Sequence, residues 1–205
     1  VSITERIMAP SSLLPLVLFV LVATVSPGGA TALATASGAS FGYRRSLPLI
    51  GGIAAGLASM AVAAAVGLAG MLLAVPSLQL AMKGAGSIYL LWLGWQIAGR
   101  GAPNLAGARA RPSSFAAGVW MLWHNPKAWA MTTGAAASFA ALADGPARLG
   151  ALLGLAFGLS ATLSLSLWCG VGLLFGRLLR TDRQWQALNV VLGILLALTL
   201  IPLWL

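Results

Sequence analysis

The chain has almost no charge to offer water. Only 7% of its residues are Asp, Glu, Lys or Arg, against roughly 25% in a soluble domain. Acids are scarcest: Glu5, Asp144 and Asp182 stand against twelve Lys and Arg. The single cysteine, Cys169, excludes an internal disulfide and a paired-thiol redox relay; within "SLSLWCGVGLL" it reads as buried and inert. With one histidine, His124, and so few acids and thiols, no donor set for a metal is present, and no cofactor is implied. There is no Gly-x-Ser-x-Gly, no His-Glu-x-x-His and no pair of carboxylates, so a hydrolase lacks its machinery. Strand-period alternation is absent too, which excludes a β-barrel.

What the chain has is oil. Hydrophobic residues make up 60% and mean hydropathy is +0.94. Too little polar surface exists to cover a water-soluble globule, so most of the surface faces lipid. A net charge of +9 suggests nucleic acid at first sight. That reading fails because the basic residues sit in short loops between apolar runs, with no basic domain to gather them.

A spanning helix needs about 20 apolar residues. Six stretches reach that length: 13–36, 47–75, 78–98, 113–142, 149–175 and 185–205. The first has the look of a leader, with Arg6 before it and small residues within it, but its apolar run continues past Pro27 and reads as a retained span. Eight basic residues fall in alternate loops: Arg44, Arg45, Arg100, Arg109, Arg111, Arg177, Arg180 and Arg183. Only Arg6, Lys83 and Arg148 fall on the other side. The positive-inside rule puts the eight in the cytoplasm and both termini outside. Trp95, Trp185 and Trp204 lie near span ends and read as interfacial anchors.

Two spans are interrupted at matching places. Pro27 lies in "TVSPGGATAL" and Pro126 in "LWHNPKAWAM". Each proline removes a backbone donor and frees a carbonyl one turn earlier. Further on, each half has two glycines four apart, Gly52 and Gly56 in one, Gly154 and Gly158 in the other. Three spans per half turn the second half over. The expected fold is therefore all-α: one integral membrane bundle over 1–205, built of six transmembrane helices as two inverted repeats, about 11–99 and 113–205. Interrupted helices at equivalent positions of inverted repeats point to a transport site near the midplane.

The same segments resemble the lysine-exporter (LysE/RhtB) family. The resemblance is carried by "SPGGATALATASGASFGYRRSLPLIGGIAAG", "LAMKGAGSIYLLWLGWQI", "NPK" and "ALNVVLGILLAL". It implies export of amino acids or similar small metabolites across the bacterial inner membrane, driven by ion gradients. The chain departs from the family pattern in three places. It has Pro27-Gly28-Gly29 where many members have Pro-Gly-Pro, "AASFAAL" where many have Pro-Gln-Phe, and no acid in span five.

Lys127 is the costliest residue in this setting, about 2.5–3.5 kcal/mol at a bilayer centre on insertion scales. No acid lies inside a span to pair with it. It must snorkel, lose its proton, or meet an anion from outside, and a substrate carboxylate fits the last role. Asn125 has both donor and acceptor groups, for the broken backbone or for substrate. A substrate ammonium finds candidate partners in the carbonyls freed at Pro27 and Pro126 and in the hydroxyls of Ser26 and Thr31. The expected binding set is thus Pro27, Gly28, Gly29, Thr31, Asn125, Pro126 and Lys127. A site without a carboxylate favours neutral amino acids. His124 is the one residue in the spans of the type that changes charge near neutral pH when unperturbed, and it is the candidate for proton coupling; a structural histidine beside Pro126 is the plainer role. Trp120, Trp123 and Trp129 flank the motif as core or as cavity wall. A passive channel, or an exporter of another small solute or ion, is the alternative function. The partners implied are a small-molecule substrate and the lipid bilayer, with room for a homo-oligomer.

Overall fold

The computed structural model describes residues 10–68, 112–179, 181–198 and 201, with isolated positions between 77 and 99. Among the described residues seven continuous helices carry the fold: α1 (Pro10–Val25), α2 (Gly29–Phe41), α3 (Tyr43–Ala63), α4 (Phe115–Trp123), α5 (Pro126–Ser138), α6 (Pro146–Leu178) and α7 (Asp182–Leu198). A π turn, Ala64–Leu68, extends α3, and a short 3₁₀ turn, Ala140–Leu142, follows α5. There is no strand among the described residues.

Two of these segments are long and apolar enough to cross a membrane, Tyr43–Gly67 and Pro146–Leu178. A third is the pair Leu13–Val25 and Gly29–Phe41, which meet at 57°. The chain is a helical membrane protein. The expected third span, 78–98, lies largely outside the described residues, as do Trp204 and the end of the sixth.

Helix α6 shows why lipid is the solvent. Leu149, Leu153, Phe157, Ala161, Leu165 and Cys169 form one buried row at intervals of four. On the other face Leu155, Leu159, Leu163 and Leu167 are each more than 60% exposed. A helix oily on both faces suits a core on one side and acyl chains on the other. Its 33 residues rise about 50 Å, more than a hydrocarbon core of about 30 Å, so it tilts or projects.

Several span ends differ from the sequence expectation. Arg44 and Arg45, expected in a loop, lie in the first turn of α3, because Gly42 alone makes the turn from α2. Its φ of 77° is the left-handed conformation that favours glycine. Trp185, expected as an interfacial anchor, is instead buried, whereas Trp95 is 82% exposed.

Without water to squeeze helices together, close backbone approach does the work. Gly38 of α2 lies directly on the backbone of Cys169, and Gly172 of α6 on that of Thr35. Gly52 of α3 lies on the backbone of Phe115, and Gly118 of α4 on Leu49 and Ile53. Helix α2 thus packs on α6, and α4 on α3. Farther along, Gly94 meets the carbonyl of Gly193.

Candidate functional site

The site begins with the end of α1. The last carbonyls of any helix lack an intrahelical partner, and Pro27 has no N–H to offer Ala23. Each of these carbonyls is met by another group. Ser26 Oγ donates to Ala23 O at 2.9 Å. From α6, Ser164 Oγ donates to Thr24 O at 2.8 Å and Trp168 Nε1 to Val25 O at 3.1 Å. The carbonyls of Ser26 and Pro27 accept from Lys127 Nζ, 101 and 100 residues along the chain, at 3.2 and 3.1 Å. Nζ also donates to Ser26 Oγ at 2.8 Å.

The second break is built by capping. Asn125 Oδ1 accepts from Lys127 N at 3.0 Å and caps α5, with Pro126 in the first helical position. Pro126 cannot donate to Leu122 O, and Asn125 N does so instead at 2.9 Å. Trp129 Nε1 donates to Trp123 O at 2.9 Å, with the two rings edge to face at 5.5 Å. Trp123 Nε1 in turn donates to Ser59 Oγ, tying α4 to α3.

Helix α2 restarts span one at Gly28. Gly28 N donates to Thr31 Oγ1 at 2.8 Å, and that hydroxyl donates to Gly28 O at 2.9 Å. A Cβ at Gly28 would stand 3.3 Å from Lys127 Nζ. The lysine head group thus packs close against the Gly28 backbone.

Between the breaks lies a cavity of about 40 Å³, lined by Ser26, Gly28, Gly29, Thr31, Asn125 and Lys127 and closed by apolar residues such as Leu57 and Met131. At roughly 10–15 Å³ per water on this measure, it holds a few waters. A second hollow of about 400 Å³ is lined by small side chains, Ala64, Ala136, Ala137 and Ala143 among them. Met60, Thr132, Leu153 and Phe157 are each fully buried, and along α3, α5 and α6 they fall between the residues that line the two hollows.

The structure brings Gly28, Gly29, Thr31, Asn125 and Lys127 together around the cavity, with the Pro27 carbonyl bound to Lys127 and Pro126 buried at the start of α5. His124 stands apart. It is exposed, its Nδ1 lies 2.8 Å from Trp120 O, and its ring is 4.2 Å from that of Trp120. Neither it nor Trp120, Trp123 or Trp129 lines the cavity. Sequence reasoning missed Ser164 and Trp168. The available signal was Pro27 itself: the freed carbonyls at the end of α1 need donors, and span five is rich in serine and has a tryptophan.

No group of three or more metal-ligating side chains occurs among the described residues. The family model described as LysE type translocator matches residues 21–201. No curated protein and no solved structure matches the chain.

Proposed function

The chain belongs to the LysE type translocator family, membrane exporters of small molecules, and from that premise we propose that it exports neutral amino acids or related zwitterions across the bacterial inner membrane. The observation that carries this reading is the cavity between the two breaks. It is lined by the carbonyl end of α1, where the ammonium of Lys127 is hydrogen-bonded, and by the amino end of α2. Helix ends carry about half a unit of charge, negative at the carbonyl end and positive at the amino end. A small molecule with one positive and one negative group matches that pattern, and half-helix ends serve this purpose in transporters.

On this reading the chain is two inverted three-span repeats that work by alternating access. In such a repeat span one relates to span four, two to five and three to six. Pairs 1–4, 2–5 and 3–6 then lie on the axis, and contact 1–5 is the image of 4–2. Lys127 joins spans one and four, Gly158 meets Ala58 between spans five and two, and Gly94 meets Gly193 between three and six. Pro27 and Pro126, and likewise Gly94 and Gly193, are 99 residues apart. The buried layer of Met60, Thr132, Leu153 and Phe157 then serves as the outer gate, and the alanine-lined hollow as the vestibule beyond it.

Transport is driven by an ion gradient, with His124 the group proposed to take a proton. Since its ring lies outside the cavity, protonation acts on the carbonyl end of α4 rather than on substrate. Counterflow of a labelled panel of neutral amino acids in proteoliposomes tests the export reading. Uptake that depends on internal unlabelled amino acid is expected. Uptake indifferent to internal substrate and linear with concentration favours the passive channel and overturns the exporter.

A further inference from the structure

Lys127 is usually the residue to ask about for a carboxylate. Its present partners ask a different question. An ammonium has three N–H donors, and here three oxygens receive them: Ser26 Oγ at 2.8 Å, Pro27 O at 3.1 Å and Ser26 O at 3.2 Å. All three sit at the carbonyl end of α1, where the helix dipole favours a cation. Ser26 Oγ also donates to Ala23 O, so it meets Nζ as an acceptor. The carbonyls just before those of Ser26 and Pro27 are taken by Ser164 and Trp168, so this is the pair of backbone oxygens that α6 leaves to the cavity. A primary amino group on any other molecule has the same three donors and the same charge as Nζ.

Resting on the amino-acid reading above, we propose that Ser26 Oγ, Ser26 O and Pro27 O form a subsite for a primary ammonium, occupied in this structure by the chain's own Lys127, and that a zwitterion enters by charge exchange. The substrate's ammonium takes the three oxygens. Its carboxylate pairs with the Nζ it has released. No bond is made or broken beyond hydrogen bonds, and the net charge of the cavity is unchanged. Each half of the exchange needs the other. An amine without a carboxylate would leave two cations in one apolar cavity. A carboxylate without an amine could pair with Nζ only by stripping the oxygens of their cation. Near a few waters' volume, neither is well screened.

The exchange also gives Lys127 a mechanical role. In the resting arrangement it is the tie between the two broken spans, since its backbone starts α5 and its head holds the end of α1. Releasing that tie only to a zwitterion links opening of the cavity to the presence of the right cargo.

The test uses purified full-length protein and reads thermal unfolding, because a ligand bound only by the folded state raises the midpoint. Lys127→Ala empties the subsite. Methylammonium should then raise the midpoint of Lys127→Ala by a few degrees, while tetramethylammonium, with no N–H, should not. Wild type should respond to neither. Adding Ser26→Ala to the variant should weaken the methylammonium response. In proteoliposomes, wild type should exchange leucine but neither leucinamide nor 2-hydroxy-4-methylpentanoate. Equal responses of Lys127→Ala to methylammonium and tetramethylammonium would overturn the subsite. Wild-type exchange of leucinamide as fast as leucine would overturn the exchange, and needs no variant to fold. Methylammonium binding to Lys127→Ala with no amino acid moved by wild type would keep the subsite and sink the export reading instead.

Discussion

Lys127 Nζ lies 2.8 Å from Ser26 Oγ, although the two residues are 101 positions apart in the chain. One hydrogen-bonded head group thereby ties the start of α5 to the end of α1. The cost of placing a lysine in lipid is offset by two carbonyls and a hydroxyl at the carbonyl end of α1.

Changing Lys127 separates transport from folding. Lys127→Ala is expected to insert at near-normal levels and to lose amino-acid exchange. Lys127→Arg keeps the charge, but its planar fork does not fit oxygens arranged around a compact ammonium, so exchange falls only in part. Lys127→Gln is expected to resemble Lys127→Ala. Membrane abundance and export rate, measured together for the three variants, check this. Wild-type export from Lys127→Ala at normal abundance would remove Lys127 from the site.

Gly28 faces the same head group. A Cβ there would stand 3.3 Å from Nζ and 3.6 Å from Cδ of Lys127. The neighbour is the far end of a flexible chain, so Gly28→Ala should fold, with Lys127 displaced by a few tenths of an ångström. The expected result is a raised KM with near-normal abundance. Gly28→Val should abolish exchange. Equal kinetics for all three proteins would show that Lys127 does not approach this backbone during transport.

The packing glycines make the opposite prediction, on abundance. A Cβ at Gly38 would collide with the carbonyl of Cys169, and one at Gly172 with that of Thr35. Backbone cannot swing aside, and overpacking of this kind costs roughly 1–3 kcal/mol or more. Gly38→Ala and Gly172→Ala should therefore lower membrane levels and thermal stability. Gly134→Ala is the control: nothing lies within 4 Å of its Cβ position, and alanine favours a helix interior by up to about 1 kcal/mol. Detergent thermal melts of the three variants check the contrast.

How much of this was legible beforehand follows from where each signal lives. Pro27 and Pro126 announce breaks because proline acts on its own backbone, whatever surrounds it. The partners of Lys127 were not legible as a set, since two of the three are backbone oxygens, which every residue has. Ser26 was expected to serve a substrate ammonium; in this structure its hydroxyl and carbonyl hold the ammonium of Lys127. Arg44 and Arg45 were read as loop because charge ends a hydropathy window, yet an arginine at a helix end keeps its head group in water while its backbone stays helical. Trp185 was read as interfacial from its place near a span end, but placement along the chain does not say which face of α7 it occupies.

Orientation rests on eight basic residues at alternate span ends against three elsewhere. Single cysteines at Ala108 and Ala143 test it in whole cells, with buried Cys169 as a silent background. An impermeant reagent added outside should label the Ala143→Cys protein and spare the Ala108→Cys protein. The reverse pattern would turn the bundle over and make the alanine-lined hollow a cytoplasmic feature.

His124 requires a measurement that distinguishes coupling from support. Its Nδ1 is 2.8 Å from Trp120 O at the carbonyl end of α4, and its ring rests 4.2 Å from that of Trp120. A proton taken up there adds a positive charge where the helix dipole favours it, and strengthens the hold on the end of α4. If that step couples transport to a proton gradient, removing it should spare exchange and abolish uphill movement. Exchange of one amino acid for another carries no net proton. His124→Gln is therefore expected to keep counterflow near the wild-type rate and to lose accumulation driven by an imposed pH gradient. A merely structural histidine predicts something else: both rates would fall together with stability. Equal, undiminished accumulation by His124→Gln and wild type would take His124 out of the coupling step and leave it as the cap of α4.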